Sequence, residues 1–383
     1  MRIGEVLRWF RRWRERFPIF LVGGVVRDWL LYGEGKAIED CDVVLLGDLR
    51  GLREMVGHLE REGAKLKKFS RFGTAEMTFR GLNLDVALSR RERYAYPGAL
   101  PEVEFTDSLL EDSRRRDFTV NALYYDGKEV IDFHGGLKDL KDRVLRPIAS
   151  FGDDPTRGIR GVRYRYKLGF SYHPSFFVAV REAARYIENV SYQRVINELR
   201  LTAVLPRRVL LGALRDAVRF KLLRTILKGE PALPRRVYLG RPSPSRWVIP
   251  LGPFLKESLP LNREERRALK VKGSLEVKGM LTAHLNMSRW RDIEVLTYMT
   301  WWADEDERDI LRTYLKVRNK VKVKMYPIGE RKRTAEESMR ALGLEGKPPE
   351  ECLKEPPTPK DRQTYRLMCE GRIMEMFYER IRR

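Results

Sequence analysis

The chain has 383 residues, of which 43% are hydrophobic, 34% charged and 10% aromatic. This length corresponds to about two to four domains, and this composition excludes a mostly disordered, fibrous or collagen-like protein. Lys and Arg number 76 against 54 Asp and Glu, a net charge of +22. We therefore expect a polyanion, nucleic acid in the first place, as partner; an anionic membrane surface and a merely solvated basic surface are the alternatives.

The first 150 residues alternate helix-like and strand-like segments. Apolar residues from Ile3 to Phe17 recur at helical spacing, and a short apolar strand is predicted at Ile19–Val22. The segments that follow are predicted in chain order as a helix over Val25–Tyr32, a strand over Cys41–Leu46, a helix over Leu52–Glu62 and a hairpin of Ala75–Phe79 with Leu82–Leu88. This interleaving predicts a domain with a mixed sheet and packed helices.

The pattern changes after about Asp153, where long helical stretches rich in Arg, Leu, Val and Ala dominate. Proline-rich residues 229–260 are expected to connect two helical units. No run of 18 apolar residues occurs, which excludes a transmembrane helix. Arginines interrupt the apolar residues of the N-terminal segment, so no signal peptide is expected.

Charge and cysteine content bear on the partner and the compartment. Residues 1–150 carry 27 basic and 25 acidic side chains, whereas residues 151–383 carry 49 and 29. This asymmetry indicates a catalytic or ligand-binding module followed by a polyanion-binding surface. Cys41, Cys352 and Cys369 are too few and too scattered for a disulfide framework, which fits a reducing cytosol, so we expect a cytoplasmic protein.

Two glycines, Gly23 and Gly24, follow the first predicted strand and precede a predicted helix. Backbone N–H groups at such a turn can approach a phosphate closely, and a helix N-terminus favours negative charge. A tight strand-to-helix turn is the plainer explanation, because the pattern is neither a Walker A loop nor a dinucleotide-binding GxGxxG. The functional interpretation of this turn therefore depends on the residues that follow it.

Asp40 and Asp42 flank Cys41 at the start of the second predicted strand. Because strand side chains alternate, both carboxylates lie on one face, about 7 Å apart at the Cα atoms. Such a pair suits one or two divalent metals in an in-line phosphoryl or nucleotidyl transfer, although a solvated strand edge gives the same pattern. Asp85, on the polar face of a later predicted strand, is a candidate third, catalytic carboxylate.

Two arginine-rich segments are candidates for nucleotide recognition. Arg114–Arg116 precede Asp117, and fork-shaped guanidinium donors suit a triphosphate or a ribose, although a surface charge cluster is the alternative. Farther along, Asp154 followed by a proline predicts a helix start with Asp154 as the N-cap. Arginines then recur every three residues on one face of that helix, at Arg157, Arg160 and Arg163.

Four motifs occur in order along the chain: GGVVRD, EDCD, RRDFTVNAL and DDPTRGIRGVRYRYKLGF. In this combination the chain resembles the class II tRNA nucleotidyltransferase and bacterial poly(A) polymerase family. The similarity extends through RERYAYPGALPEV and IDFHGGLKDLKDRVLRPI and covers about residues 18–200.

The resemblance implies an α+β fold with a DNA polymerase β-type nucleotidyltransferase head, made of a mixed sheet and helices, and an all-helical remainder. The implied boundaries are residues 1–147 for the catalytic head, 148–205 for a neck that recognises the base, 206–262 for a body with the proline-rich connector, and 263–383 for a tRNA-binding tail.

By matching position, the resemblance also implies roles for individual residues. Asp40 and Asp42 would be the carboxylates that bind Mg²⁺. The nucleotide-binding residues would be Gly24, Arg27, Arg116, Asp154, Arg157, Arg160 and Arg163. The chain departs from the family at Asp153, where Glu is usual, and at Gln193, where Glu usually precedes the arginine. Both departures are expected to affect the base pocket more than the metal site.

A single Asp/Arg pair can select the base of the incoming nucleotide without a nucleic-acid template. The Asp154 carboxylate can accept from an exocyclic amine and Arg157 can donate to a ring nitrogen, an order that cytosine and adenine satisfy. Uracil and guanine do not match this order and would leave buried charged groups unpaired. The pair does not separate C from A. A helix-capping role for Asp154 is compatible, since a carboxylate has two oxygens.

The expected function is template-independent addition of C, A or both, from CTP and ATP, to the 3′ end of tRNA, by two-metal nucleotidyl transfer with release of pyrophosphate. The basic helical part would hold the tRNA acceptor region, with candidate contacts at residues 316–333 and 379–383. No membrane and no obligate protein partner are implied.

Within this function, the RERYAYPGALPEV segment and the altered neck motifs favour a split enzyme that adds only CC or only A. The alternatives are a full CCA-adding enzyme, a poly(A) polymerase with broad RNA specificity, and a non-catalytic RNA-binding protein with an inactive head.

Overall fold

The computed structural model describes residues 1–234, 237–271, 275, 277–324, 328–354, 356, 358 and 361–382. The chain divides into two compact units, the first made of residues 1–201 with 212–227 and the second of residues 202–211 with 228–383. Among the described helices, none is long and apolar enough to cross a membrane. The division into head, neck, body and tail is finer than these two units and stays a prediction.

A mixed sheet forms the framework of the first unit. Up to residue 172 the strands are β1 (Ile19–Val22), β2 (Asp40–Leu45), β3 (Lys65–Ser70), β4 (Thr74–Phe79), β5 (Leu82–Leu88), β6 (Arg90–Arg93), β7 (Glu102–Phe105), β8 (Leu123–Tyr125), β9 (Val130–Asp132), β10 (Val144–Leu145) and β11 (Ser171–Tyr172). The sheet has the order β3-β4-β5-β2-β1-β8-β9, with β2 and β5 parallel and the other neighbours antiparallel. The pairs β6–β7 and β10–β11 form two smaller sheets.

The residue pattern of the central strands explains their placement. All four residues of β1 are buried, as expected for a strand with a neighbour on each side. The predicted hairpin of β4 and β5 is confirmed, and Arg80 and Gly81 join the two strands with φ angles of 49° and 79°. Such left-handed angles are typical of tight hairpin turns. The alternation of β5 then leaves Asp85 on its exposed face.

Helices pack on the sheet and continue beyond it. Up to residue 219 they are α1 (Ile3–Arg14), α2 (Gly24–Tyr32), α3 (Leu49–Arg61), α4 (Leu109–Arg114), α5 (Gly136–Lys141), α6 (Thr156–Leu168), α7 (Pro174–Tyr186), α8 (Tyr192–Ala203) and α9 (Arg207–Arg219). The N-terminal helix ends at Arg14 and does not include Phe17, because Pro18 disfavours helical geometry in the residue before it.

The second unit, in its described part, consists of helices and irregular segments. Its helices from residue 248 onward are α10 (Val248–Leu251), α11 (Arg263–Leu269), α12 (Met280–Met287), α13 (Asp292–Trp301), α14 (Glu305–Val317), α15 (Ile328–Ala341), α16 (Glu350–Leu353) and α17 (Arg362–Arg382). The predicted connector of residues 229–260 contributes to the core, since Trp247 and Val248 are fully buried. Arg235 and Arg236 of this connector lie outside the described residues. The α+β fold class, with a mixed sheet followed by helices, is confirmed.

A disulfide joins Cys352 of α16 to Cys369 of α17. It contradicts the interpretation of the scattered cysteines as those of a reducing cytosol. The two residues lie 17 positions apart in the sequence, and they meet because α16 packs directly on α17. Cys41 remains a free thiol and is buried in β2.

Candidate nucleotide and metal site

The carboxylates of β2 and β5 lie side by side on one exposed face of the sheet. Asp40 and Asp42 alternate with buried Cys41 in β2, and the parallel pairing places Asp42 opposite Asp85 and Asp40 opposite Asn83. The Asn83 amide donates to Oδ1 of Asp40 at 2.9 Å. The predicted alternation is therefore confirmed, and the sheet brings Asp85 next to the pair.

Burial and the neighbouring charges raise the pKa values of Asp42 and Asp85. Burial in the cleft raises the pKa of Asp42. The charge of Arg116 opposes this rise and the charge of Asp40 adds to it, so the pKa of Asp42 lies above its usual range. Burial and then the charges of Asp42, Glu76 and Asp40 raise the pKa of Asp85 to about 6. Excess negative charge of this kind favours a bound cation.

Carboxylate oxygens are the ligands that hard divalent cations such as Mg²⁺ prefer, so the Asp40–Asp42 pair fits such an ion. Within the described ranges, no three acidic, histidine or cysteine side chains converge as a ready-made metal cluster. Asp85 therefore lies beside the pair without completing a three-carboxylate set in this conformation.

The Gly23–Gly24 turn brings backbone close to these carboxylates. Gly23 has a φ of 72°, and a Cβ at this position would lie 3.2 Å from Oδ2 of Asp42. Gly24 is the first residue of α2. Glycine at position 23 therefore serves both the left-handed backbone and the close approach to Asp42.

Arg27 is placed differently from Gly24. Its side chain is 2% exposed, and it donates from Nη1 to Oδ1 of Asn121 at 2.7 Å and from Nε to Oδ1 of Asp28 at 2.8 Å. The guanidinium also lies over the ring of Tyr164. These contacts fix Arg27 beneath the site, where it connects α2 with the segment after β7.

Arg116 is held by a buried network. Its Nε donates to the Tyr124 hydroxyl at 2.9 Å and its Nη2 to Asp112 at 3.0 Å. Burial alone would raise the pKa of Asp112, but Arg116 and Arg115 lower it, so the carboxylate stays charged. The remaining nitrogen of Arg116, Nη1, is the one nearest to Gly23, so this guanidinium is directed at the glycine turn.

The start of α6 differs by one residue from its predicted place. The helix begins at Thr156, with Pro155 rather than Asp154 at the N-cap position. Oδ1 of Asp154 still accepts the N–H of Thr156 at 3.1 Å, and it also accepts from Nη2 of Arg194 at 2.8 Å. The other oxygen, Oδ2, faces Arg157 with 4.0 Å to its Nε. Capping and pairing with Arg157 therefore use different oxygens of one carboxylate.

The three arginines of α6 do not behave alike. Arg157 is buried and donates to the backbone oxygen of Arg115 at 2.7 Å. Arg160 donates to Oδ2 of Asp117 at 3.3 Å and to Oε1 of Glu198 at 3.2 Å. Arg163 donates to the second oxygen of Glu198 at 3.0 Å, so it serves this ion pair rather than the cleft.

A cleft of about 370 Å³ within the first unit joins these elements. Of the residues predicted from the sequence, those lining it are Gly24, Asp42, Arg116, Asp154, Arg157 and Arg160. Those that do not line it are Asp40, Asp85, Arg27 and Arg163. The cleft thus extends from the glycine turn and the β2 carboxylate to the base of α6.

Sequence reasoning did not single out several lining residues. The hairpin of β6 and β7 supplies Arg90, Glu92 and the nearby Tyr94, and Glu92 accepts from Arg90 at 2.9 Å and from Tyr94 at 2.9 Å. The alternating charges of RERY were the available signal. Glu198, which holds two arginines of α6, carried no local signal, because it lies on a separate helix.

The two departures from the family pattern lie away from the cleft. Asp153 and Gln193 are exposed, and neither lines the cleft. The side chain of Gln193 donates to Asn197 at 2.7 Å on the outer face of α8. Neither side chain therefore contacts the cleft directly, and the expectation that these departures affect the base pocket stays a prediction. The adjacent Arg194 does line the cleft and binds Asp154.

Comparison with known proteins matches the part of the chain that holds the glycine turn, Asp42 and Arg116. Residues 19–146 match the family described as the poly A polymerase head domain. The chain is 39% identical over 191 residues to an A-adding tRNA nucleotidyltransferase of Aquifex aeolicus, covering 48% of this chain and 22% of that protein. It is 38% identical over 192 residues to an A-adding tRNA nucleotidyltransferase of Geobacter sulfurreducens, covering 48% and 21%.

A solved structure described as a tRNA-processing enzyme in apo form I has the same fold. It aligns with a TM-score of 0.66 at 24% identity, over 97% of this chain and 98% of that one. The chain spans about a fifth of the length of the two curated relatives it matches. The sequence likeness to these two relatives therefore covers about half of the chain, while the likeness of fold extends over nearly all of it.

Proposed function

We propose that this protein, whose N-terminal part is similar to the class II tRNA nucleotidyltransferase family, adds nucleotides to the 3′ end of tRNA without a template. The observation that carries the proposal is the cleft, in which a β2 carboxylate, the glycine turn, Arg116 and the Asp154–Arg157 pair line one cavity. The carboxylate suits a metal ion, the glycine turn and Arg116 suit a triphosphate, and the Asp154–Arg157 pair suits a base.

Asp154 and Arg157 are the proposed base-recognition pair. The contacts of Asp154 with the N–H of Thr156 and with Arg194 both use Oδ1. Oδ2 is therefore available to accept from the exocyclic amine of adenine or cytosine. Arg157 donates to the ring nitrogen beside that amine. Arg194 and the capping contact hold the carboxylate in place, and a wrong base would leave it unpaired.

Asp40 and Asp42 are the proposed ligands of a divalent cation, Mg²⁺ by the hardness of carboxylate oxygen. A cation held there would supply Lewis-acid polarisation of the α-phosphate. Gly24 and Arg116 would bind the triphosphate, and Arg160 would bind it from α6. Arg27 and Arg163 would act indirectly, by holding Asn121 and Glu198.

The proposed reaction joins the tRNA 3′ oxygen to the α-phosphorus of the nucleotide. The bond between the α-phosphorus and the α–β bridging oxygen breaks, and pyrophosphate leaves toward the arginines. Asp85 lies beside Asp42 and has a pKa near 6, which suits a group that takes up the proton of the 3′-hydroxyl.

Among the possible products, we propose addition of the terminal A. The two relatives described above are both named A-adding enzymes, which supports the split-enzyme interpretation in its A-adding form. CC addition, full CCA addition and a poly(A) polymerase are the competing outcomes, and a non-catalytic RNA-binding protein is the last.

The proposed partner is tRNA, held through phosphates by the basic part of the chain in the cytoplasm. The candidate contacts at residues 316–333 and 379–383 stay predictions. Residues 325–327 and Arg383 of these segments lie outside the described residues.

The test is a primer-extension assay with Mg²⁺ and tRNA transcripts that end before CCA, after C and after CC. CTP, ATP or both are supplied, and products are read at single-nucleotide resolution. We expect one A on the transcript ending in CC and nothing on the other two. Addition that stops after CC, completion to CCA, or long A tails on unrelated RNA would each replace the A-adding assignment with the corresponding alternative. No incorporation on any substrate would overturn the enzymatic function.

A further inference from the structure

The second unit holds a separate pocket of about 860 Å³, which the proposed chemistry does not use. It lies between α13, the end of α14 and residues 239–246, all within the second unit. Small-molecule and cofactor sites commonly measure about 300–1,000 Å³, so this pocket is large enough for a specific ligand.

One side of the pocket is cationic. Its acidic lining residues are Glu264 and Asp292, and the carboxylate of Asp292 is within 3.7 Å of Arg318. Its basic lining residues are Arg241, Arg246, Lys316 and Lys320. Positive charge is therefore in excess, and the three cations other than Arg246 are solvent-exposed. Such a rim favours a phosphate.

Arg246 adds a buried donor to this side. The residue is 1% exposed. Its Nε and Nη2 donate to the backbone oxygens of Ala203 and Leu205, whereas Nη1 is buried without a hydrogen-bond partner. Burial and then the charge of Arg207 lower the pKa of Arg246. A buried donor without an acceptor is costly, and an acceptor on a ligand would satisfy it.

The other side of the pocket is apolar and tightly built. Leu239, Ile293 and Leu296 line it. Gly240 has a φ of 59°, and a Cβ there would lie 2.7 Å from Cδ1 of Leu296. A cationic rim beside an apolar wall is complementary to one nucleotide, whose phosphate is anionic and whose base has apolar faces.

Building on the proposed function, we infer that this pocket binds one unpaired nucleotide of the tRNA other than the 3′ end that reacts. The phosphate contacts Lys316, Lys320 and Arg241, and the base lies against the leucine and isoleucine side chains. RNA-binding proteins commonly recognise unstacked bases in loops and bulges, together with their phosphates.

Two variants test the phosphate contacts and the base contacts separately. Lys316→Gln with Lys320→Gln removes two phosphate contacts from exposed positions, and the slope of log K against log salt for tRNA binding should fall by about 2, since each contact contributes about 1. Ser243 also lines the pocket, and Ser243→Trp fills its interior with a bulky side chain. It should weaken tRNA binding by about tenfold, as loss of base stacking does, and leave the salt slope unchanged.

The control is Lys347→Gln, an exposed lysine away from the pocket, which should leave both quantities near those of the parent protein. Unchanged affinity and slope in both test variants would overturn the inference. A reduced slope for the lysine variant with full affinity for Ser243→Trp would also overturn it, because only a phosphate contact would remain. Failure of the parent protein to bind tRNA would instead contradict the proposed function.

Discussion

Asp42 is the residue at which the electrostatics of the site converge. Burial and Asp40 work against its charge, and Arg116 and Arg27 support it. A cation bound between Asp40 and Asp42 would relieve the repulsion between them. The charge of Asp42 is therefore expected to matter for the reaction more than for the fold.

The first prediction concerns Asp42→Asn, which keeps the shape of the side chain and removes its charge. We expect nucleotide transfer to fall by more than about 100-fold, because even an outer partner of a metal ligand costs 10–100-fold. Binding of tRNA should be retained. Single-turnover extension and filter binding measure the two quantities. Asp142→Asn, at an exposed carboxylate of the same unit, is the matched control. Full activity of Asp42→Asn would refute the assignment.

A second prediction follows from the pKa of Asp85, which is about 6 against an ordinary value of 3.8. A carboxyl whose pKa is raised by folding destabilises the folded state once it ionises. This penalty is absent below about pH 4 and complete above about pH 6. In metal-free protein, Asp85→Asn should therefore raise the melting temperature at pH 7.5 and leave it unchanged at pH 4.

Because the side chain of Asp85 is partly open to solvent, solvent screens much of this ionisation penalty, and we expect a rise of a few degrees only. Thermal unfolding at the two pH values is the measurement, with Asp142→Asn again as the control. Equal shifts at pH 4 and pH 7.5 would mean that charge repulsion is not the cause.

Among the secondary-structure elements, α6 depends on α8 for the placement of its arginines. Glu198 of α8 accepts from Arg160 at 3.2 Å and from Arg163 at 3.0 Å. Asp117 accepts from Arg160 as well, and although burial alone would raise the pKa of Asp117, Arg160 lowers it. The cationic face that was predicted on α6 is thus an internally compensated network.

The third prediction is that Glu198→Gln acts on nucleotide binding. Hydrogen bonds between charged groups contribute about 1.5–3 kcal/mol, so loss of this charge should raise the KM for the nucleotide by about tenfold with a smaller change in kcat. Steady-state kinetics with tRNA saturating separates the two constants. Glu188→Gln, at an exposed position, is the control, and an unchanged KM would contradict a positioning role for Glu198.

The local sequence pattern was sufficient to predict most of the secondary-structure elements and part of the candidate site. The alternation of β2, the β4–β5 hairpin and the glycine turn can be predicted because each depends on neighbours in the sequence. Glu198 could not be predicted, because its contacts come from packing of α8 on α6. Arg27 and Arg163 carry the same guanidinium group as Arg157, and only tertiary contacts with Asn121 and Glu198 distinguish them.

At the scale of the whole molecule, the disulfide is the feature that the number and spacing of the cysteines did not predict. Three cysteines in 383 residues carry no pairing signal, and only the packing of α16 on α17 brings two together. Disulfides are rare in reducing compartments, with intracellular proteins of hyperthermophiles as the main exception. The bond therefore removes the cysteine content as support for a reducing compartment, and the cytoplasmic location stays a proposal.

The fourth prediction is that this bond stabilises the second unit. Closing a segment of 17 positions restricts the unfolded chain by about 3 kcal/mol in the chain-entropy account. Reduction, or Cys352→Ser with Cys369→Ser, should lower the thermal transition, whereas Cys41→Ser removes only the free thiol. Titration of the denatured, unreduced protein should find one thiol per chain, and three would contradict the bond.

The order of strands in the sheet has a consequence for synthesis of the protein. β2 pairs with β1 at once, but its other partner, β5, is made only after β3 and β4. A nascent chain that ends before residue 82 thus contains Asp40 and Asp42 without Asp85 beside them. Asp154, Arg157 and Glu198 follow later still, so a growing chain carries the whole site only after α8 has left the ribosome, with α9 to α17 still to be made.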